Sequence, residues 1–340
     1  MTERRPASPI NIGMANIHRN FLEHVKGDNR SYSVVDYPAY NNIGDSAIWT
    51  GQRRALLDVF KKAPRYVASQ QDYKKDIEAF CGDGVIFING GGNFGNLWPQ
   101  RQEFRLQIIR DHPHRKIVQL PQSICFSGSE YIDETKYLIG SHKNFHLCVR
   151  DQPSFDFASR EFDCPVYIAP DAAHCISTYK AAPSRQEIFS LIRSDKESLT
   201  PDLYDLLSPY GPTADWEGIS RYFYETEGAI DKFFRRKLQH KFPSSNIIMS
   251  YRLKMYDRMA QNAVDRGTKL LSQGKLIISD RLHAHIICVL MGKRHISIDN
   301  ANGKVGEYIR KWGDFGITEL VSSRASLLER IEASRTTAHN

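Results

Sequence analysis

The chain has 340 residues, of which 41% are hydrophobic, 25% charged and 11% aromatic. That length predicts about two domains, and the composition excludes a disordered or fibrous chain. A net charge of +7 and a pI near 9.0 favour anionic partners, whether phosphorylated metabolites, an acidic membrane face or nucleic acid. Cys81, Cys125, Cys148, Cys164, Cys175 and Cys288 form no C-x-x-C pair, which argues against zinc knuckles and a disulfide scaffold and for reduced thiols. The start MTERRPASPI has no apolar run of secretory length, and no later run approaches the roughly 20 residues of a membrane span, so a cytoplasmic protein is expected.

In chain order, apolar β-rich segments recur at SYSVVDY, PRYVA, GVIFIN, RKIVQL, FHLCVR and PVYIAP, with helix-compatible stretches between most of them. This alternation predicts a parallel sheet flanked by helices, with ligands at the carboxyl ends of the strands. STYKAAPSRQ reads as a linker and puts a domain boundary near residue 180. EIFSLIRSD opens the second half as a strand, whereas 194–245 is polar, aromatic-rich and irregular. Order returns with NIIMS, a helix over 253–273, the strand KLIIS, a helix from Leu282, the strand RHISID and a last helix near 304–312. The tail SRTTAHN reads as frayed. The expected fold is α/β, with two Rossmann-like domains, 1–180 and 181–340, facing a cleft.

The stretches that could carry chemistry fall after strands. In GVIFINGGGNFGNLWP, Gly90, Gly91, Gly92 and Asn93 are expected in the loop where a buried strand leaves the sheet, their backbone N–H groups able to face an anion. The run is neither a G-x-G-x-x-G at the first strand nor a P-loop, since no Lys-Ser or Lys-Thr follows it. Asn42, Gly44 and Asp45 follow the first strand, with Asp45 or Ser46 also readable as an N-cap. Arg150 and Arg193 close strands in the two halves, and a planar guanidinium suits carboxylate and phosphate. LIISDRLHAH places Ser279, Asp280, Arg281 and His283 at a strand-to-helix junction. His283 reads as the candidate acid or base and His285 as a core residue, since two positions apart they point about 200° apart. Asp171 and His174 in APDAAH stand at another strand end, with capping as the plain alternative. No metal-binding motif is present, so no metal is expected.

Together, Asn42-Ile43-Gly44-Asp45, Gly90-Gly91-Gly92-Asn93, Val118-Gln119-Leu120-Pro121-Gln122-Ser123, Val149-Arg150-Asp151, Ala169-Pro170-Asp171 and Ser279-Asp280-Arg281-Leu282-His283 resemble the polysaccharide pyruvyl transferase family in order and spacing. The resemblance spans about Asp36 to Trp312, with 194–245 as the departure. It implies a GT-B-like pair of domains and transfer of pyruvate from phosphoenolpyruvate to two hydroxyls of a sugar, with no further cofactor. It also implies that Arg150 and Arg281-Leu282-His283 hold the donor. His283 would then be the general acid and Asp45 or Asp171 the proton acceptor, while Arg150, Arg281 and Arg193 would grip the anions. The acceptor would be a glycan precursor, lipid-linked oligosaccharides included.

Two other readings remain open on the residues. A GT-B nucleotide-sugar glycosyltransferase would also use strand-end glycines and basic residues. A non-catalytic binder of nucleic acid or anionic glycan would use the positive charge, but the basic clusters FFRRKLQHK and MGKRH lack a nucleic-acid fold signature, so no nucleic-acid partner is expected. RRKLQHK with Phe233 and Phe234 has the composition of a helix resting on an anionic membrane, and equally of a solvated helical face.

Overall fold

The computed structural model describes residues 9–77, 80, 82–128, 130–176, 179, 181–194, 202–216, 246–299, 303–313 and 315–338. Most of the segment read as irregular, 217–245, lies outside these residues, and with it RRKLQHK, Phe233 and Phe234. Among the described residues, one compact unit comprises those of 11–176 and 220–265, and the other those of 1–10, 177–219 and 266–340. The sequence suggested a single boundary near 180; the chain instead interleaves its units.

The elements of the first unit begin with α1 (Pro9–Lys26), β1 (Tyr32–Val35), α2 (Ile43–Phe60), β2 (Tyr66–Ala68), β3 (Val85–Ile88) and β4 (Gly91–Phe94). They continue with α3 (Pro99–Asp111), β5 (Ile117–Ile124), α4 (Glu130–Ser141), β6 (Phe145–Val149), α5 (Gln152–Glu161), β7 (Val166–Ile168) and a 3-10 turn at Ala172–Cys175. The strands form one parallel sheet in the order β2-β1-β3-β5-β6-β7, with β4 added beside β5. Their near-continuous Val, Ile and Leu runs suit a sheet covered on both faces. Two apolar clusters result, one around Tyr32, Trp49, Leu56 and Phe87, the other around Ile86, Phe104, Ile117 and Leu147.

The second unit holds β8 (Gln186–Leu191), α6 (Leu203–Leu207) and β9 (Thr213–Ala214). After α7 (Asn246–Leu271) come β10 (Gly274–Ser279), α8 (Leu282–Met291), β11 (His295–Ile298), α9 (Lys304–Trp312), β12 (Thr318–Val321) and α10 (Arg324–Ala338). Its five strands are parallel in the order β12-β11-β10-β8-β9. Ile188, Leu203, Ile278, Ile296, Leu327 and Ile331 share its core. The α/β expectation of two Rossmann-like units with parallel sheets, the composition of a GT-B-like chain, therefore holds. Among the described residues no helix is long and apolar enough to cross a membrane.

Three local expectations need correction. Gly91 to Phe94 do not leave the sheet as a loop but pair with β5. NIIMS opens α7, whose first half packs Met249, Leu253, Tyr256 and Ala260 into the first unit's cores. The tail read as frayed is helical as far as Ala338, because Leu327 and Ile331 anchor α10.

Tyr256 makes that assignment testable, since its ring stacks on Tyr37 at 3.7 Å between centroids and meets Trp49 edge-on. Tyr256→Ala is expected to cost about 3–5 kcal/mol, the usual loss for a large buried aromatic. Ile247→Ala on the same helix, at 81% exposure, is expected to stay within about 0.5 kcal/mol. Urea unfolding of both variants measures the difference.

Candidate active site

In the first unit the carboxyl ends of β1, β3, β5 and β6 carry a continuous polar network. It starts where α2 begins. Asn42, not Asp45 or Ser46, is the N-cap, its side chain accepting the Asp45 N–H at 3.2 Å. Asp45 is thereby relieved of capping, and one of its oxygens, Oδ2, accepts the Tyr40 hydroxyl at 2.8 Å. The other, Oδ1, lies beside Gly91, at 3.6 Å from where a β-carbon there would stand. Gly44 is buried in the first turn of α2.

The glycine run has two distinct reasons. A β-carbon on Gly90 would stand 2.6 Å from the Pro121 carbonyl oxygen, so close packing of β3 on β5 demands glycine. Gly91 adopts φ +147, which side chains disfavour. Asn93 donates its N–H to Gln122 Oε1 at 3.3 Å, and its side-chain oxygen accepts Arg105 Nη2 at 2.8 Å and Gln122 Nε2 at 3.2 Å. Arg105 is fully buried over the Phe94 ring and donates also to Gln119 and Gln102, both at 2.6 Å. Burial lowers its pKa to about 10, which leaves it a cation at neutral pH.

Gln122 passes the network on, because its carbonyl accepts the Arg150 N–H at 3.0 Å. Arg150, 3% exposed, donates Nε to Ser123 Oγ at 2.9 Å and Nη1 to Asp171 Oδ2 at 2.5 Å. Ser123 in turn donates to Asp151, the N-cap of α5. Asp171 Oδ1 accepts the Ala173 N–H at 2.8 Å, so the carboxylate both caps the 3-10 turn and holds Arg150.

In the second unit, Arg281 precedes α8, lies over Trp216 with its guanidinium 6.0 Å from the ring, and donates to Asp215 Oδ1 at 2.5 Å. Asp215 Oδ2 holds the N–H and hydroxyl of Ser194, both at 2.8 Å. The half-buried Arg193 donates its backbone N–H to Asp280 Oδ1 at 3.0 Å. Leu282 is buried and His283 half-buried in the first turn of α8. His285 faces the core as expected, its Nδ1 at 2.8 Å from His295 Nε2.

The structure thus brings together Asn42, Asp45, Gly91 and Asn93, and separately Arg150 with Asp171. In the other unit it links Arg193 to Asp280, and Arg281 to Asp215. Sequence reasoning missed Asp36, Tyr40, Arg101, Arg105 and Asp215. Asp36 directly ends the strand run SVV, a position that could have flagged it. It adopts a left-handed φ of +65, pairs with Arg101 at 3.4 Å, and burial raises its pKa. Asp215 gave no signal, because it sits in the polar stretch that matched no element. Among the described residues no cluster of three or more His, Cys, Asp or Glu could hold a metal.

With this geometry in view, residues 42–302 match the polysaccharide pyruvyl transferase family, and the chain belongs to it. It is 25% identical over 312 residues to Pyruvyl transferase 1 of Schizosaccharomyces pombe, covering 88% of this chain and 73% of that one. It is 27% identical over 312 residues to EpsO of Bacillus subtilis, provisionally named a pyruvyl transferase, covering 88% and 90%. An uncharacterised Klebsiella pneumoniae protein of known structure shares the fold, with a TM-score of 0.60 at 16% identity over 91% of this chain and 99% of that one.

Asp280 is 1% exposed, and its Oδ2 has no hydrogen-bond partner among the described residues. Burial pushes its carboxyl up to about 6, against the pull of the Arg193 N–H and the Arg281 and Arg193 charges. The folded chain therefore holds this proton more tightly than the unfolded one. Stability from this group is full below about 4 and is lost as pH rises through about 6. Asp280→Asn, neutral at every pH, is expected to melt a few degrees above the parent at pH 8, with the gap closing by pH 4. Thermal scans at the two pH values check the sign.

Proposed function

We propose that the protein moves pyruvate from phosphoenolpyruvate onto two hydroxyls of a sugar in an exopolysaccharide or cell-surface glycan precursor, forming a cyclic ketal and releasing phosphate. The observation that carries the reading is Arg281 with His283 at the start of α8, inside the stretch that matches the family. Phosphoenolpyruvate brings a phosphate and a carboxylate within a few ångströms, and guanidinium groups at strand ends suit both. No further cofactor enters the reaction as we write it.

In this reading His283 protonates the terminal methylene carbon of the donor while a sugar hydroxyl oxygen bonds to C2, its proton passing to Asp45 or Asp171. The C2–O bond to phosphate then breaks with its electron pair leaving on phosphate, and the second hydroxyl adds to C2. Of the two hydroxyl protons released, one replaces that given by His283 to the new methyl group and the other ends on phosphate. Arg150, Arg281 and Arg193 stabilise the anions, and Gly90, Gly92 and Asn93 shape the backbone next to Gly91. The protein acts in the cytoplasm, on free or lipid-linked acceptors.

His283→Ala and Arg281→Ala are expected to abolish phosphate release from phosphoenolpyruvate with candidate glycans while circular dichroism shows a folded chain. Because Arg281→Ala strands a buried Asp215, at about 3–5 kcal/mol, Arg281→Lys is measured beside it and is expected to lose most activity with less loss of stability. Near-normal turnover would remove either residue from its role. Thermal stabilisation by sugar nucleotides, and none by phosphoenolpyruvate, would replace the reading with a glycosyltransferase.

A further inference from the structure

Around Asp45 the first unit carries side chains that the donor chemistry leaves unused. The Tyr40 hydroxyl fixes Asp45 Oδ2, which leaves Oδ1 on the Gly91 side. The Arg101 guanidinium lies 4.4 Å from the Tyr40 ring centroid and reaches Asp36 Oδ1 and Gln70 Oε1, each at 3.4 Å. Asp36 itself is buried in a left-handed conformation that a non-glycine residue keeps only when its surroundings enforce it. The whole chain from Asp36 through Arg101 and Tyr40 to Asp45 is thus held at the ends of β1 and β3.

Beside it stands Trp98, which precedes α3 and whose carbonyl accepts the Arg101 N–H at 2.9 Å. Trp98 is 38% exposed, whereas Trp49 and Trp216 are buried. That backbone bond joins Trp98 to Arg101 across the first turn, so the two side chains spring from the same end of the helix. A part-exposed tryptophan one helical turn from a guanidinium that is itself linked to carboxylates has the chemistry of a sugar platform: an apolar face for the C–H side of a pyranose ring, and charged acceptors and donors for its hydroxyls.

We propose that Trp98, Arg101, Tyr40 and Asp45 form the acceptor-sugar subsite, with the ring on the indole and one hydroxyl donating to Asp45 Oδ1. Tyr40 and Arg101 are positioning residues in this assignment, and Asp36 is the counter-ion that orients Arg101. The assignment rests on the pyruvyl transfer reading only for the fate of the hydroxyl, because sugar binding can be measured alone.

Saturation-transfer NMR with a panel of methyl hexopyranosides reads binding without reaction. Transfer to at least one glycoside is expected with the parent protein, and its loss in Trp98→Ala and retention in Trp98→Phe support the subsite. No transfer to any glycoside with the parent, or equal transfer to parent and Trp98→Ala, overturns it. Kinetics with p-nitrophenyl hexopyranosides and phosphoenolpyruvate add the second arm. There Trp98→Ala is expected to raise the acceptor KM roughly tenfold with the donor KM unchanged, and Trp98→Phe to restore most of it. Tyr40→Phe is expected to lower kcat roughly tenfold with little change in either KM, and an unaltered kcat removes Tyr40 from its place. Glycoside binding without any phosphate release would leave the subsite standing and overturn the pyruvyl reading instead.

Discussion

A proline in the middle of a buried strand is the constraint on which the first unit's site depends. Pro121 has no N–H for the ladder, and such residues are normally confined to edges or bulges. Here β5 changes neighbour at that point: it pairs with β3 up to Gln119 and with β4 from Gln122, and its register against β6 shifts over the same interval. The carbonyls left around the break are taken by side chains. Gln119 Nε2 donates to the carbonyls of Ile88, Asn89 and Leu120, and Gln122 Nε2 to that of Asn89. Arg105 pins Gln119 and Asn93 from below. The glycines of β4 then become intelligible: β4 exists because β5 needs a second partner past its proline, and Gly90 because that crossing runs against the Pro121 carbonyl.

Burying guanidinium groups carries a desolvation cost, which both units meet in the same way. Arg150 with Asp171 and Arg281 with Asp215 are pairs in which both side chains are largely withdrawn from water. Such pairs add little net stability compared with apolar packing, but they fix a planar fork in one orientation, and removal of one partner is severe. Each carboxylate is held in turn, Asp171 by the Ala173 N–H and Asp215 by Ser194 and the Trp216 N–H. In the proposed transfer, forks fixed in this way would meet the charge that develops on the departing phosphate.

Much of this was legible in the sequence wherever local signal and global fold agree. VVD, VIFI, IVQL, LCV and LIIS are buried runs in a parallel sheet, and their ends carry Asp45, Gly90, Arg150 and Arg281 as read. The failures have physical causes. NIIMS is β-branched and short, so periodicity could not separate a strand from the first turn of a long helix. Gly91 to Phe94 joins the sheet through the demand of Pro121 on β5, a constraint written in another segment. Arg105 lies on a helix where an arginine ordinarily faces solvent, and only tertiary burial among carboxamides reveals it. Asp36 had only its place at the end of SVV to mark it, and Tyr40 depends on backbone geometry after β1 that no spacing rule encodes.

The charge balance takes a different meaning in this light. An excess of seven positive charges favoured anionic partners without choosing among them. In the strand-end clusters, however, Arg150, Arg281 and Arg101 each face an aspartate, and Arg105 faces carboxamides. Arg150, Arg281 and Arg101 thus each stand against an opposite charge, whereas Arg105 keeps its charge among neutral carboxamides. In the proposed reaction a dianionic donor would share an arginine such as Arg150 with the carboxylate already paired to it, which would shift the favourable part of binding from bulk attraction to fixed N–H geometry. Under that proposal, paired arginines would capture other anions less readily than free ones, and selection would rest on a ligand whose phosphate and carboxylate both match the donors.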